Sequence, residues 1–277
     1  MYVGEENQKF FKFYGAKDRE LIFTPHAVNN EYFQDQYKNQ YNFINIDKNY
    51  GNYAENILDF ENVDYIIHLA GISGVKDCEE NYDQALIDNI SSTIHLIKAS
   101  WAFNIPMIFT SSQATKTPSS SLYATTKRMG EVEAERYNNQ CGNIKVLRLS
   151  NVFGGKYYVK NKSSVIAKFI NNIRNKESLI VTGDGSQTRD FIHVSEVCRA
   201  INSCLNDTKI SHPIDLGIGK GRTIKEVAQM LSDDIVYDNE SSIGVESNIA
   251  DTSDIYNYLG FQAEDKLEEY INKGVFK

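Results

Sequence analysis

"IPMIFTSSQATKTPSSSLYATTK", residues 105–127, holds one turn of an alternating architecture. An apolar run (105–109) gives way to Thr110, Ser111 and Ser112, a polar loop follows, and Leu122 opens an amphipathic stretch that runs to residue 139. A short buried strand followed by a helix of this length is half of a strand–helix–strand unit. The same alternation extends outward in both directions. "ELIFT" (20–24), "YNFINI" (41–46), "VDYIIHLAG" (63–71) and "IKVLRLSNVFG" (144–154) read as strands rich in Ile, Leu, Val and Phe, as a sheet covered on both faces requires. Segments 5–14, 78–102 and 122–139 read as helices between them. The expected class is α/β with a doubly wound, mostly parallel sheet.

After residue 155 the elements become shorter. A helix is expected over 162–175, a strand at "LIVTG", a Gly-Asp-Gly turn of the kind that suits a hairpin, and a strand at "RDFIHV". A helix over 195–206, a strand near 213–217, a helix over 223–232 and a short acidic helix at the end complete the chain. The sequence thus divides into 1–153 and a smaller lobe, 154–277, with 186–206 packing back on the first part.

The totals narrow the function classes. A formal charge of −8 over 277 residues argues against general affinity for nucleic acid or an anionic membrane. No apolar run approaches ~18 residues. Cys78, Cys141, Cys198 and Cys204 form no CxxC pair and no metal-ligand spacing with the five histidines, so a reduced, cytoplasmic protein without a metal is expected.

Tyr123 and Lys127 stand four apart at the helix opening and so share a face. An ammonium beside a phenol favours the phenolate and should draw the tyrosine down from ~10 towards working pH. That would make Tyr123 a general acid/base for an alcohol or sugar hydroxyl, with Ser112 at the strand end holding the same oxygen. The spacing alone is common in a chain with 17 Tyr, and Tyr158 with Lys162 repeats it. The order strand, Ser-Ser, loop, Tyr, helix, Lys is what singles out the first pair.

With these residues in place the chain resembles the extended short-chain dehydrogenases/reductases, in particular the NAD-dependent nucleotide-sugar epimerase/dehydratase group. "IIHLAG" (66–71) is similar to the strand whose Ala70 and Gly71 backbone lies along the cofactor. "DNISSTIHLIKAS" (88–100) resembles the next helix, with Asn89 beneath the site. "LRLSNVFG" carries Asn151 near the sugar nucleotide, and "GDGSQTRDFIHVSE" (183–196) places Arg189 to meet a diphosphate. "LGIGKGRTIKEVA" and "DTSDIYNYLGF" resemble the small lobe and tail. A second arginine usual before the tail is missing, so Lys220 or Arg222 could assist Arg189.

The resemblance implies a Rossmann-like fold, NAD as cofactor (NADP being the alternative), a nucleotide-sugar substrate, and a homodimer through two helices per subunit. It implies Ser112, Tyr123 and Lys127 as catalytic residues, with Tyr123 and Lys127 also contacting the cofactor. The amino-terminal end departs from the pattern. Gly4 stands where the third glycine of the dinucleotide loop belongs, and the usual first strand is expected to be lacking. Asp47 fits the later acidic position near adenine. Gln113-Ala114 replaces the acidic pair that performs elimination in the dehydratases. A C4 epimerase is therefore favoured, with a 4-keto-sugar reductase and a non-catalytic relative as the other readings.

Overall fold

The computed structural model describes residues 12–13, 20–24, 28–45, 63–140, 142–155, 164–206, 208–239 and 245–273. Gly4, Asp47, Tyr158 and Lys162 lie outside them, as do residues 5–11. The chain forms two compact units, 1–148 with 201–214, and 149–200 with 215–277.

In the first unit the strands are β1 (Lys12–Phe13), β2 (Glu20–Thr24), β3 (Asn42–Asn45), β4 (Tyr65–His68), β5 (Met107–Ser112) and β6 (Ile144–Leu149), in the spatial order β1-β3-β2-β4-β5-β6. β2 lies parallel to β3 and, on its other side, directly against β4, with Ile22 opposite Ile66. β4 and β5 are parallel, with Ile67 opposite Ile108. All four residues of β4 and the first five of β5 are buried. Strands covered on both faces have no reason to alternate, which is why these runs are continuously apolar. Lys12–Phe13, expected inside a helix, instead lines the edge of β3 antiparallel. An edge strand leaves a row of N–H and C=O groups unpaired, and β1 satisfies some of them.

Helix α1 (Val28–Tyr37) joins β2 to β3. The stretch expected as one helix over 78–102 is broken into α2 (Val75–Glu80), α3 (Tyr82–Leu86), a π turn (Ile87–Ser91) and α4 (Ser92–Phe103). Asn81, at φ −124° and ψ 52°, ends α2 with both its backbone N–H and its side-chain amide donating to the Asp77 carbonyl. At the start of α4 the Ser92 and Thr93 hydroxyls donate back to the carbonyls of Asp88 and Asn89 in the π turn. Such back-bonding competes with the ordinary helical ladder and loosens a turn. Asn104, in the left-handed region at φ 52°, caps α4. Helix α5 (Leu122–Asn138) starts at Ser121, whose hydroxyl accepts the Ala124 N–H at 3.2 Å. Between sheet and helices a cluster of Ile66, Leu96, Ile97, Met107, Phe109 and Val146, all 2% exposed or less, fixes α4 and α5 on one face. Each such side chain contributes ~1.5–3 kcal/mol on burial.

The second unit opens with β7 (Asn151–Phe153), separated from β6 by Ser150, followed by α6 (Val165–Asn175). In chain order the next elements are β8 (Leu179–Thr182), β9 (Thr188–His193), α7 (Val194–Cys204), β10 (Ile214–Leu216), β11 (Gly221–Thr223) and α8 (Ile224–Leu231), the end of α7 and Ile214 counting with the first unit. Then follow β12 (Ile235–Asp238), β13 (Ser247–Asn248), α9 (Ser253–Leu259) and α10 (Leu267–Asn272). β9 is the hub: β7 and β13 run parallel to it and β11 antiparallel. β8 pairs with β12. The Gly-Asp-Gly turn therefore makes no hairpin but links strands of two different sheets, with Gly183 and Gly185 at φ 64° and 74°. The buried Asp190 carboxylate in β9 accepts the N–H groups of Ile218, Gly219 and Ala250, tying three segments together. α8 begins with a capping box between Thr223 and Glu226.

Candidate active site

The first unit brings Ala70, Gly71, Asn89, Ser112, Tyr123 and Lys127 to the carboxyl ends of β4 and β5, where ligands bind in sheets of this kind. Ser112 closes β5 in extended geometry, and its hydroxyl accepts the Ala114 N–H at 3.2 Å, starting a 3-10 turn (Gln113–Lys116). The phenol of Tyr123, in the first turn of α5, lies close enough to the Ser112 hydroxyl for the latter to pull its pKa down. One helical turn on, Lys127 is buried, and its ammonium donates to the Thr110 carbonyl at 3.1 Å and lies 5.2 Å from the centre of the Phe109 ring.

Electrostatically the pair departs from the expectation. Tyr123 is raised above its usual value, by burial first, against which the Ser112 hydroxyl pulls down and the Cys78 thiol adds a further push up. Loss of water around the phenol outweighs a neighbour whose own ammonium is desolvated and directed at a carbonyl. Lys127 is lowered from 10.5 to about 8 by burial, partly countered by Cys78 and Glu131.

That shift has a consequence for stability. A lysine with a depressed folded value costs the fold in full below about pH 8, and the cost disappears as pH rises from there to 10.5. Holding the ammonium charged costs ~3 kcal/mol at pH 7. Lys127→Met should therefore stabilise the protein by about 1–3 kcal/mol at pH 7 after loss of the Thr110 bond, with the gain gone by pH 10. Urea unfolding at the two pH values checks this; an equal effect at both would contradict it.

Around this centre lie Asn89 and Gly71, both expected from the sequence, and Cys78 and Glu131, which were not. Asn89, fully buried, donates its amide to the Ile72 carbonyl and to Thr126 Oγ1, both at 3.1 Å, and meets Cys78 Sγ at 3.7 Å. Its Oδ1 has no hydrogen-bond partner. Gly71, at φ 136°, passes so close that a Cβ there would fall 2.6 Å from that oxygen and 3.4 Å from Lys127 Nζ. Cys78 is buried, and burial pushes its thiol up to about 11. Thiol reagents should leave Cys78 unlabelled in the native protein at pH 8, and mass spectrometry of a labelled digest would show otherwise if the site opened. Glu131, a further turn along α5 from Lys127, is wholly buried and accepts from Ser111, Thr115, Arg128 and Arg148. Its signal in the sequence is a charged residue on the apolar face of an amphipathic helix.

Asn151 and Arg189 belong to the second unit. The Asn151 amide donates to the Asp190 carbonyl at 3.1 Å, joining β7 to β9. Arg189 is part-buried; its guanidinium donates to the Thr188 carbonyl at 2.8 Å and pairs with no carboxylate among the described residues. Opposite it across β9 and β11 stands Arg222, which is held by Asp265 at 2.7 Å and Glu268 at 3.1 Å. Lys220 reaches Asp265 at 3.4 Å and is exposed. Among the described residues Arg189 thus has no carboxylate partner, whereas Arg222 and Lys220 do.

The family model described as "NAD dependent epimerase/dehydratase family" matches residues 14–219. The chain belongs to that family. Among its relatives is a protein of Methanocaldococcus jannaschii carrying the provisional name UDP-glucose 4-epimerase, 29% identical over 217 residues, 72% of this chain and 70% of that protein. UDP-glucuronic acid decarboxylase 1 of Danio rerio is 31% identical over 160 residues, which are 55% of this chain and 38% of the fish protein. A solved UDP-N-acetylglucosamine 4-epimerase from Methanobrevibacter ruminantium M1, in complex with UDP-N-acetylmuramic acid, superposes with a TM-score of 0.81 at 25% identity, covering 93% of this chain and 97% of that one. The fold is the Rossmann-like α/β fold of these NAD dependent epimerase/dehydratase proteins, whose dinucleotide is NAD. The residues at the strand ends suit it: a glycine whose missing Cβ leaves the backbone approachable, an orphaned amide oxygen, and an ammonium with one of its three protons directed at Thr110. No helix among the described residues is long and apolar enough to cross a membrane.

Proposed function

We propose that the protein is a nucleotide-sugar C4 epimerase that uses NAD. The observation that carries the reading is Ser112 at the end of β5 with the Tyr123 phenol beside it and the buried Lys127 ammonium one helical turn away. Ala70, Gly71, Asn89 and Lys127 would hold the dinucleotide, which supplies the hydride acceptor and donor of the cycle. The Ser112 hydroxyl and the Tyr123 phenol would both address the C4 oxygen of the sugar. Burial keeps the Tyr123 phenol protonated at neutral pH, the form that donates to a ketone oxygen. Taking the proton from an alcohol needs positive charge close by, and Lys127 is the cation on that face. Asn151 and Arg189 would bind the sugar nucleotide, Arg189 at its diphosphate.

Gln113 favours epimerisation over elimination. It occupies the place of an acid in the dehydratases, carries no proton to give, and its buried amide donates to the Arg148 carbonyl at 3.2 Å. The test is to incubate the protein with UDP-glucose or UDP-N-acetylglucosamine and a catalytic amount of NAD. Formation of the 4-epimer supports the reading. Consumption of stoichiometric NADPH by a 4-keto sugar, with no epimer formed, favours the reductase reading instead. Exposed Ile87, Met129 and Val132, on the π turn and α5, would face a second subunit in a dimer.

A further inference from the structure

We infer that Glu131 is a positioning residue for the Ser112–Tyr123–Lys127 centre: its carboxylate, clamped by Arg148, holds the end of β5 and the turn after it against α5. The inference rests on the epimerase reading for its kinetic arm.

The geometry is a set of cross-links one residue apart. Lys127 takes hold of Thr110 through its carbonyl at 3.1 Å. Glu131 Oε1 accepts the Ser111 hydroxyl at 2.6 Å and the Thr115 hydroxyl at 2.8 Å. Thr115 also donates to the Ser112 carbonyl at 2.7 Å. Ser112 is therefore fixed from the residues on both sides, and it is fixed to the helix that carries Tyr123. The carboxylate itself has little freedom. Arg148 on β6 grips it in a fork, Nε to Oε1 at 2.9 Å and Nη2 to Oε2 at 2.7 Å, and Arg128 adds a bond at 2.8 Å. Forked arginine–carboxylate pairs fix orientation as well as distance. Burial raises the Glu131 carboxyl, but the Arg148, Ser111 and Arg128 hydrogen bonds together bring it below its usual value, so it is ionised at neutral pH.

A buried negative charge one turn from Lys127 also supports the ammonium. The charged or titratable groups facing Lys127 are His68 on β4, Cys78 on α2 and Glu131 on its own helix. Burial holds His68 neutral and Cys78 as the thiol at pH 7. That leaves Glu131 as the formal negative charge among them.

The experiment compares wild type, Glu131→Gln, Glu131→Asp and Ser111→Ala. Turnover per folded molecule should fall on the order of 10–100-fold in Glu131→Gln with KM little changed, since a small misplacement of a reacting group costs that much. Its basic limb should move about one pH unit lower. Glu131→Asp, which keeps the charge, should restore the limb, and Ser111→Ala should lower turnover without moving it. A second arm needs no activity. The pH above which the Lys127→Met stability gain begins to fall, about 8, should drop when Glu131→Gln is added, while the gain still ends near 10.5, the value of the unfolded chain. If Glu131→Gln lowers only the melting temperature, with turnover per folded molecule and both pH midpoints unchanged, the carboxylate is merely structural and the inference is overturned. If wild type converts no nucleotide sugar, the epimerase reading fails and the stability arm alone decides about Glu131. If Glu131→Gln does not fold, unchanged turnover in Ser111→Ala overturns the positioning role and a loss supports it.

Discussion

Tyr123→Phe is expected to reduce epimer formation by about three orders of magnitude while leaving the melting temperature within a few degrees. The variant keeps the ring at the start of α5 and loses only the hydroxyl beside Ser112. General acid–base catalysis by a placed side chain contributes ~10²–10⁴-fold, and here one group would serve both proton transfers of the cycle. The steady-state rate with a UDP-hexose, read against sugar-nucleotide affinity by calorimetry, separates the outcomes. Lost turnover with unchanged affinity fits a proton carrier. Full turnover in the phenylalanine variant would remove the phenol from the mechanism.

The second large effect concerns Arg189. Its guanidinium sits part-buried with only a backbone carbonyl as partner among the described residues, and burial lowers its pKa. A desolvated cation in that condition is costly until an anion arrives. Arg189→Met should therefore weaken sugar-nucleotide binding about 100-fold, the worth of one or two charge-assisted bonds totalling ~3 kcal/mol. The same substitution should not lower thermal stability, because it removes an uncompensated charge. Arg222→Met should behave in the opposite way, with stability reduced through the lost Asp265 and Glu268 pairs and little change in affinity. Equal affinity in wild type and Arg189→Met would place diphosphate recognition elsewhere.

The strands that frame the site were the most legible part of the chain. β4 and β5 are buried on both faces, and nothing but a continuous apolar run satisfies that demand. Helix α1 left no such trace. Its ten residues, VNNEYFQDQY, are mostly polar, and the buried Phe33 and Tyr37, with ring centroids 4.6 Å apart, are too few to set a period. β11, β12 and β13 are two to four residues long and carry no pattern of their own. Ser112, Tyr123 and Lys127 were readable because chemistry restricts the residue types and the helix fixes their spacing. The sign of the Tyr123 shift was not. A pair of residues in sequence gives a charge–phenol distance but no measure of how much water the fold removes, and here the water decides. Glu131 went unnoticed because its partners Ser111, Thr115 and Arg148 come from three other elements, β5, the turn after it and β6.

The π turn at Ile87–Ser91 carries one residue more than a regular helix would need. Deleting a single residue there would return the backbone to its ordinary ladder, yet everything on the amino-terminal side would swing by about a quarter turn. Asn89 would then no longer face Ile72, Thr126 and Cys78 at once. A shorter, more regular segment would thus fold more easily and leave the floor beneath the strand ends without its amide, so the irregularity itself is the part to preserve in any redesign of this chain.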